Sequence, residues 1–200
     1  MPTATTAALL AALSFLATPP EKQSWEETDK KAARADFLPR SALIEVDGKE
    51  RGRGFVKVDV TDPKQTFRVR VSAEGFEPEE AVVVAGNVIK GEHFLALRPA
   101  GFAGRVDVRD AGSMALAASA LWKAGRLDDA VDYAEQSLRG GNTPLANRVL
   151  GEVWRRRGNR DQAVRYFAMY LSISDNPSDG DEIRAWLMQD RPGDITIPAK

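Results

Sequence analysis

The chain of 200 residues contains no cysteine. Disulfides, thiolate zinc sites, cysteine nucleophiles and lipid attachment through a cysteine are therefore excluded. Histidine is nearly absent too. His93 is the single one, so no two-histidine metal motif can be assembled. Neither sign of charge is in excess: 28 Lys and Arg stand against 29 Asp and Glu, for a net charge of −1. With no long basic tract, nucleic-acid binding driven by bulk electrostatics is not expected. No Gly-x-Ser-x-Gly signature or phosphate loop occurs, and Gly52-Arg53-Gly54 has neither the spacing nor the following helix of one. The acidic group Glu77, Glu79 and Glu80 lacks the EF-hand pattern and reads as a solvated loop. His93, beside Phe94 in an expected strand, reads as a solvent-facing or packed residue. These absences point away from an enzyme, and no cofactor or metal is expected.

The longest apolar run, Ala7 to Ala17, is AALLAALSFLA, followed by Thr18-Pro19-Pro20 and a charged segment. It has the length of a secretory signal core and falls short of the roughly 20 residues of a membrane-spanning helix. No Lys or Arg precedes it, and cleavage after Ala17 would set bulky Phe15 where a small residue is preferred. The expectation is a signal peptide over residues 1–20 and a periplasmic or cell-envelope protein with no stable membrane span. The alternative is an Ala/Leu-rich helix packed on the body of a cytoplasmic protein. Residues 21–40 read as a charged linker or a short helix. Ser24 and Glu27 have capping-box spacing, which predicts a helix from Trp25 to about Asp36. Its apolar positions are sparse (Trp25, Ala32, Ala33, Phe37), so it would be marginal alone.

From Ser41 the period changes to two. Leu43-Ile44-Glu45-Val46 runs into Asp47-Gly48, a hairpin signal because both turn positions tolerate positive φ. Val56, Val58 and Val60 share one face, and Phe67, Val69 and Val71 point inward with Arg68 and Arg70 outward. Ala81 to Val84 is a short strand, Ala85-Gly86-Asn87 a turn, and His93 to Arg98 another strand. Short strands at this spacing predict a small antiparallel β-sandwich. Ile44-Glu45-Val46-Asp47-Gly48, Gly52, Gly54 and the stretch Val69 to Phe76, ending Glu74-Gly75-Phe76, resemble the PEGA domain. That resemblance implies a small β-fold of bacterial surface and envelope proteins, over residues 41–100 of this chain. An immunoglobulin-like or transthyretin-like sandwich fits the same pattern.

Past Gly101 the period becomes helical. Met114, Ala117, Ala118 and Leu121 form one face, and Ala130, Tyr133, Ala134 and Leu138 the next. Thr143-Pro144 then supplies an N-cap and a first-turn proline. Ala146, Val149, Leu150, Val153 and Trp154 follow, and after Gly158 come Ala163, Val164, Phe167, Tyr170 and Leu171. Gly125 and Gly158, Ala130 and Ala163, and Leu138 and Leu171 are each 33 residues apart. The period and the small residues at Gly125, Ala130, Gly151, Gly158 and Ala163 resemble the tetratricopeptide repeat. The predicted fold is thus α+β multidomain: a small antiparallel β-sandwich, then helical hairpins over residues 110–190 with a capping helix from Ser178 to Gln189. Residues 191–200 read as a tail.

The tetratricopeptide resemblance implies a groove lined by the first helix of each hairpin. By position, the protein-binding residues would be Ser119, Trp122 and Lys123 from one hairpin and Arg148, Glu152, Arg155 and Arg156 from the next. The last four share a helix face, and guanidinium forks there favour an acidic or C-terminal segment of a partner protein. The competing interpretation is a solvated face in which Glu152 pairs with Arg148 and Arg156. Ala115 stands where the chaperone-type carboxylate clamp has its first lysine, which disfavours chaperone tails. Trp122, Trp154 and Trp186 fall on successive helices as core or groove residues. The expected function is a non-enzymatic scaffold or adaptor. The rival is a surface or glycan-binding module in which the β-domain does the recognition, which an exposed aromatic row on a sheet would favour.

Overall fold

The computed structural model describes residues 31–89 and 94–189. The apolar run Ala7 to Ala17, the pair Ser24 and Glu27, His93 and the tail 191–200 lie outside the described residues. Strands come first in the chain: β1 (Lys31–Leu38), β2 (Leu43–Val46), β3 (Lys49–Arg53), β4 (Phe55–Val60), β5 (Thr66–Ser72), β6 (Glu79–Val84) and, after the short α1 (Ala85–Ile89), β7 (Phe94–Ala96). Helices follow: α2 (Ala111–Lys123), α3 (Leu127–Gly140), α4 (Pro144–Arg156), α5 (Arg160–Ile173) and α6 (Gly180–Met188). The architecture is α+β.

Four strands in the order β3-β2-β5-β6 make one sheet, every pair antiparallel. The β2–β3 hairpin turns through Asp47 and Gly48 at φ 50 and 76°, and the Asp47 carboxylate accepts the Arg68 backbone N–H at 2.9 Å. Phe67, Val69 and Val71 are buried while Arg68 and Arg70 face solvent, as the alternation requires.

The second sheet, β4-β1-β7, corrects two expectations. Residues from Lys31 form the central strand of a sheet, so the helix predicted to run to Asp36 is absent from its described part and the β-module begins before residue 41. Buried Ala35 and Phe37 alternate with outward Arg34 and Asp36. Strand pairing on both edges rewards that period of two, whereas a helix there would have had no continuous apolar face. β1 is antiparallel to β4 but parallel to β7, so the strands are not wholly antiparallel. Two smaller differences concern the end of the module. Ala85-Gly86-Asn87, expected as a turn, opens α1, and the strand expected to reach Arg98 is ordered as β7 only over Phe94–Ala96.

The helices form two hairpins, α2 on α3 and α4 on α5, with α4 also packed on α2 and α3. Ala111 and Pro144 begin the first helices, and Leu127 and Arg160 the second, each pair 33 residues apart. The turns match as well. Gly125 and Gly158 take φ of 79 and 73°, and the following N–H groups of Arg126 and Asn159 reach the carbonyls of Leu121 and Trp154 at 2.9 and 3.0 Å. These are glycine C-caps, adopted without the Cβ penalty. Close approach of α4 and α5 depends on Gly151, where a Cβ would lie 2.5 Å from Phe167 Cδ1.

One apolar cluster runs from the inward faces of both sheets into α2, α3 and α4. A smaller one joins α5 to α6 through Ala163, Phe167, Tyr170, Leu171, Ile183 and Leu187, and Trp154 packs against both. Polar bonds reinforce the seam between sheets and helices. The buried Tyr133 hydroxyl donates to the Leu97 carbonyl, with the Leu38 carbonyl 3.3 Å away, and its ring stacks on Phe76 at 5.9 Å. Arg126 donates to the Glu74 carbonyl and to Asp129 Oδ2 at 2.7 Å, and covers the Phe76 ring at 4.7 Å. The Arg40 backbone N–H reaches Asp132 Oδ2 at 3.0 Å.

Candidate functional site

Because α2 and α4 are neighbours, their outward faces bound an open groove of about 540 Å³ lined by Trp122, Lys123, Glu152, Arg155 and Arg156. Five of the seven side chains expected from the sequence therefore meet in one depression. The other two do not line it. Ser119 is 9% exposed and lies among the buried residues of α2. Arg148 is drawn into an ion pair with Asp179, its guanidinium 5.6 Å from the centre of the Trp122 ring.

The ion pairs differ from those anticipated for this face. Glu152 is 8% exposed and takes Arg155 Nη2 at 2.7 Å, one turn away, rather than Arg148 or Arg156. Arg155 also lies 3.9 Å from Glu182 of α6. Lys123 and Arg156, both exposed, have no ion-pair partner among the described residues. The groove thus presents a half-buried indole with one free ammonium and one free guanidinium beside it. Such a surface accepts carboxylates at the rim and an apolar side chain against Trp122.

Asp179 was not foreseen as part of this region. It occupies the N-cap position of α6, yet its carboxylate makes no capping bond. It accepts instead from Arg148 and from the Tyr170 hydroxyl at 2.8 Å. Burial pushes the Asp179 carboxyl upward, but the bonds from Arg148 and Tyr170 outweigh it and leave the group below its ordinary value of 3.8. Burial, assisted by the bond to Asp179, raises the Tyr170 phenol to about 12. A polar residue ahead of an amphipathic helix would signal a cap and not an ion pair. The diversion of Asp179 to Arg148, 31 residues away, depends on tertiary folding.

Trp154 and Trp186 carry guanidinium groups over their rings, Arg157 at 5.0 Å and Arg160 at 4.6 Å, and both pack on the α5–α6 core. Trp122 alone of the three lines the groove. On the β-module, the outward cations divide between the two sheets. Arg68 and Arg70 are paired with Glu80 and Glu45 at 3.4 and 4.0 Å on the four-stranded sheet, while Lys57 lies on β4 of the other. Among the described residues, no group of three or more His, Asp or Glu is placed to hold a metal ion, and no helix is long and apolar enough to cross a membrane. Comparison with protein-family models and with curated proteins gives no match to this chain.

Proposed function

We propose that this protein is a non-enzymatic scaffold or adaptor of the bacterial cell envelope, whose tetratricopeptide-type hairpins, joined to a PEGA-like β-module, grip an acidic segment of a partner protein. The observation that carries the reading is the groove itself: Trp122 flanked by Lys123 and Arg156, neither of which has an ion-pair partner among the described residues. Arg155, by contrast, is neutralised by Glu152 on the same helix. The 33-residue offset of the two hairpins, and the matching hydrogen bonds in their turns, favour the tetratricopeptide assignment. The exported location rests on the apolar run at residues 7–17 alone.

Selection of random peptides against the full chain tests the proposal. Enrichment of segments rich in Asp and Glu around one apolar residue, weakening as salt rises, is the expected result. Enrichment without charge preference would contradict it. The rival, recognition by the β-module, draws on Phe55 and Phe94, which face outward on the three-stranded sheet.

A further inference from the structure

We propose a second binding site, distinct from the groove: the cleft between the three-stranded sheet and α3, which takes an oxyanion of phosphate or carboxylate type carried on an apolar or ring-shaped body. The cleft measures about 590 Å³, and four guanidinium groups line it against two carboxylates. Two of the four are spent internally. Arg34 forks onto Asp36 with nitrogen–oxygen distances of 2.8 and 3.1 Å, and Arg40 is held by Asp132 and Glu135 at 3.2 and 3.5 Å. The other two, Arg53 and Arg139, have no carboxylate partner among the described residues. Among the described residues, the Arg53 guanidinium donates only to the Ser41 carbonyl at 2.9 Å and that of Arg139 only to Gln136 Oε1 at 3.1 Å. A guanidinium has five N–H donors, so each keeps most of its fork open for a second, planar or tetrahedral oxyanion.

The apolar part of the ligand is argued from the sheet. Asp36 on β1 pairs across to Phe55 on β4 and to Phe94 on β7, so two rings flank one carboxylate on the outward face. Phe55 is 46% exposed, and Arg34 lies 4.6 Å over its ring. An exposed ring on a rigid strand, already faced by a cation, offers a stacking surface for a flat or apolar group. Rings and free guanidinium groups line the same cleft, which is the arrangement that holds an amphiphilic anion and rejects a bare hydrocarbon. The site lies where the two modules meet, since its walls come from β1, β4 and β7 of one sheet, Arg53 at the end of β3 on the edge of the other, and Asp132 and Arg139 of α3.

Calorimetric titration of the full chain with phenyl phosphate and with inorganic phosphate, at constant ionic strength, tests the assignment. Phenyl phosphate is expected to bind saturably and more tightly than inorganic phosphate. Arg53→Gln/Arg139→Gln should weaken it by about tenfold or more, the usual loss for charge-assisted bonds. Phe55→Ser should reduce phenyl phosphate to the level of inorganic phosphate, whereas Arg68→Gln/Arg70→Gln on β5, outside the cleft lining, should change neither. Flotation with phosphatidic acid vesicles separates the two sources of such chemistry. Vesicle binding that depends on Arg53 and Arg139 assigns a lipid headgroup, and phenyl phosphate binding without flotation assigns a free molecule. Equal binding by wild type and the double Gln variant, or no saturable binding of any probe, would overturn the proposal. Arg139→Gln alone disturbs only the contact to Gln136, and a folded variant with undiminished binding would overturn it equally.

Discussion

Gly75 shows how much one residue can carry at the seam. Its φ of +74° excludes most side chains, and a Cβ there would collide with the Arg126 guanidinium that reaches the Glu74 carbonyl. Gly75→Ala should therefore lower stability by about 1–3 kcal/mol, combining left-handed strain with the loss of a charge-assisted bond. In an Arg126→Ala background the same substitution should cost less, because the collision is gone. Additive losses in chemical denaturation would show that the two residues act independently. Asp179 gives a pH-dependent counterpart. Its folded value lies below 3.8, so its contribution is present above the unfolded value and disappears as pH falls through the folded one. Tyr170, raised to about 12, contributes below its ordinary value of 10.0 and loses that contribution as pH climbs towards 12. Protection of the α6 amides, taken relative to the intrinsic exchange rate at each pH, should accordingly fall below about pH 4 and above about pH 10. Asp179→Asn should remove the acid limb, and an unchanged acid limb in that variant would refute the assignment.

Among the elements, the α4–α5 hairpin is packed tightly at Gly151. Gly151 sits inside α4, where alanine would normally be the better helix former by about 1 kcal/mol. Here a Cβ meets the Phe167 ring at 2.5 and 2.6 Å, so Gly151→Ala must separate α4 from α5. We expect a net loss of about 1–2 kcal/mol, overpacking outweighing propensity, and a rise in thermal stability would contradict this. These helices were legible in advance because their boundaries and faces are local: apolar residues at three and four, glycine at the turns, and a 33-residue offset. β1 was not. Its alternation shows in only Ala35 and Phe37 amid charged neighbours, and what fixes it as a strand is pairing with Val56 and Leu95, distant in sequence. Helix spacing placed Glu152, Arg155 and Arg156 on one face, whereas the expectation of a groove between two helices came from the tetratricopeptide resemblance and not from spacing. The withdrawal of Arg148 was not legible, because Asp179 arrives only when α6 folds back.

For the whole molecule, the continuous cluster from the sheets into α2, α3 and α4 leaves little reason for the modules to unfold separately. Tyr133 is the clearest probe of that union, since its hydroxyl bonds the backbone of the β-module from within α3. Tyr133→Phe should lower stability by about 1–3 kcal/mol, the cost of leaving a buried carbonyl without its donor. Strand and helix signals should still melt in a single transition, and separate melting of the two would contradict the shared core. The partner-binding account rests in turn on two charges, Lys123 and Arg156. The most direct test is calorimetry of an acidic peptide chosen by selection against the wild-type chain, repeated with Lys123→Glu/Arg156→Glu and with the same peptide carrying Lys for Glu. The account predicts that the variant loses the acidic peptide by about a hundredfold, one charge-assisted contact per cation, and gains the basic one. Equal affinity of wild type and variant for both peptides would contradict it.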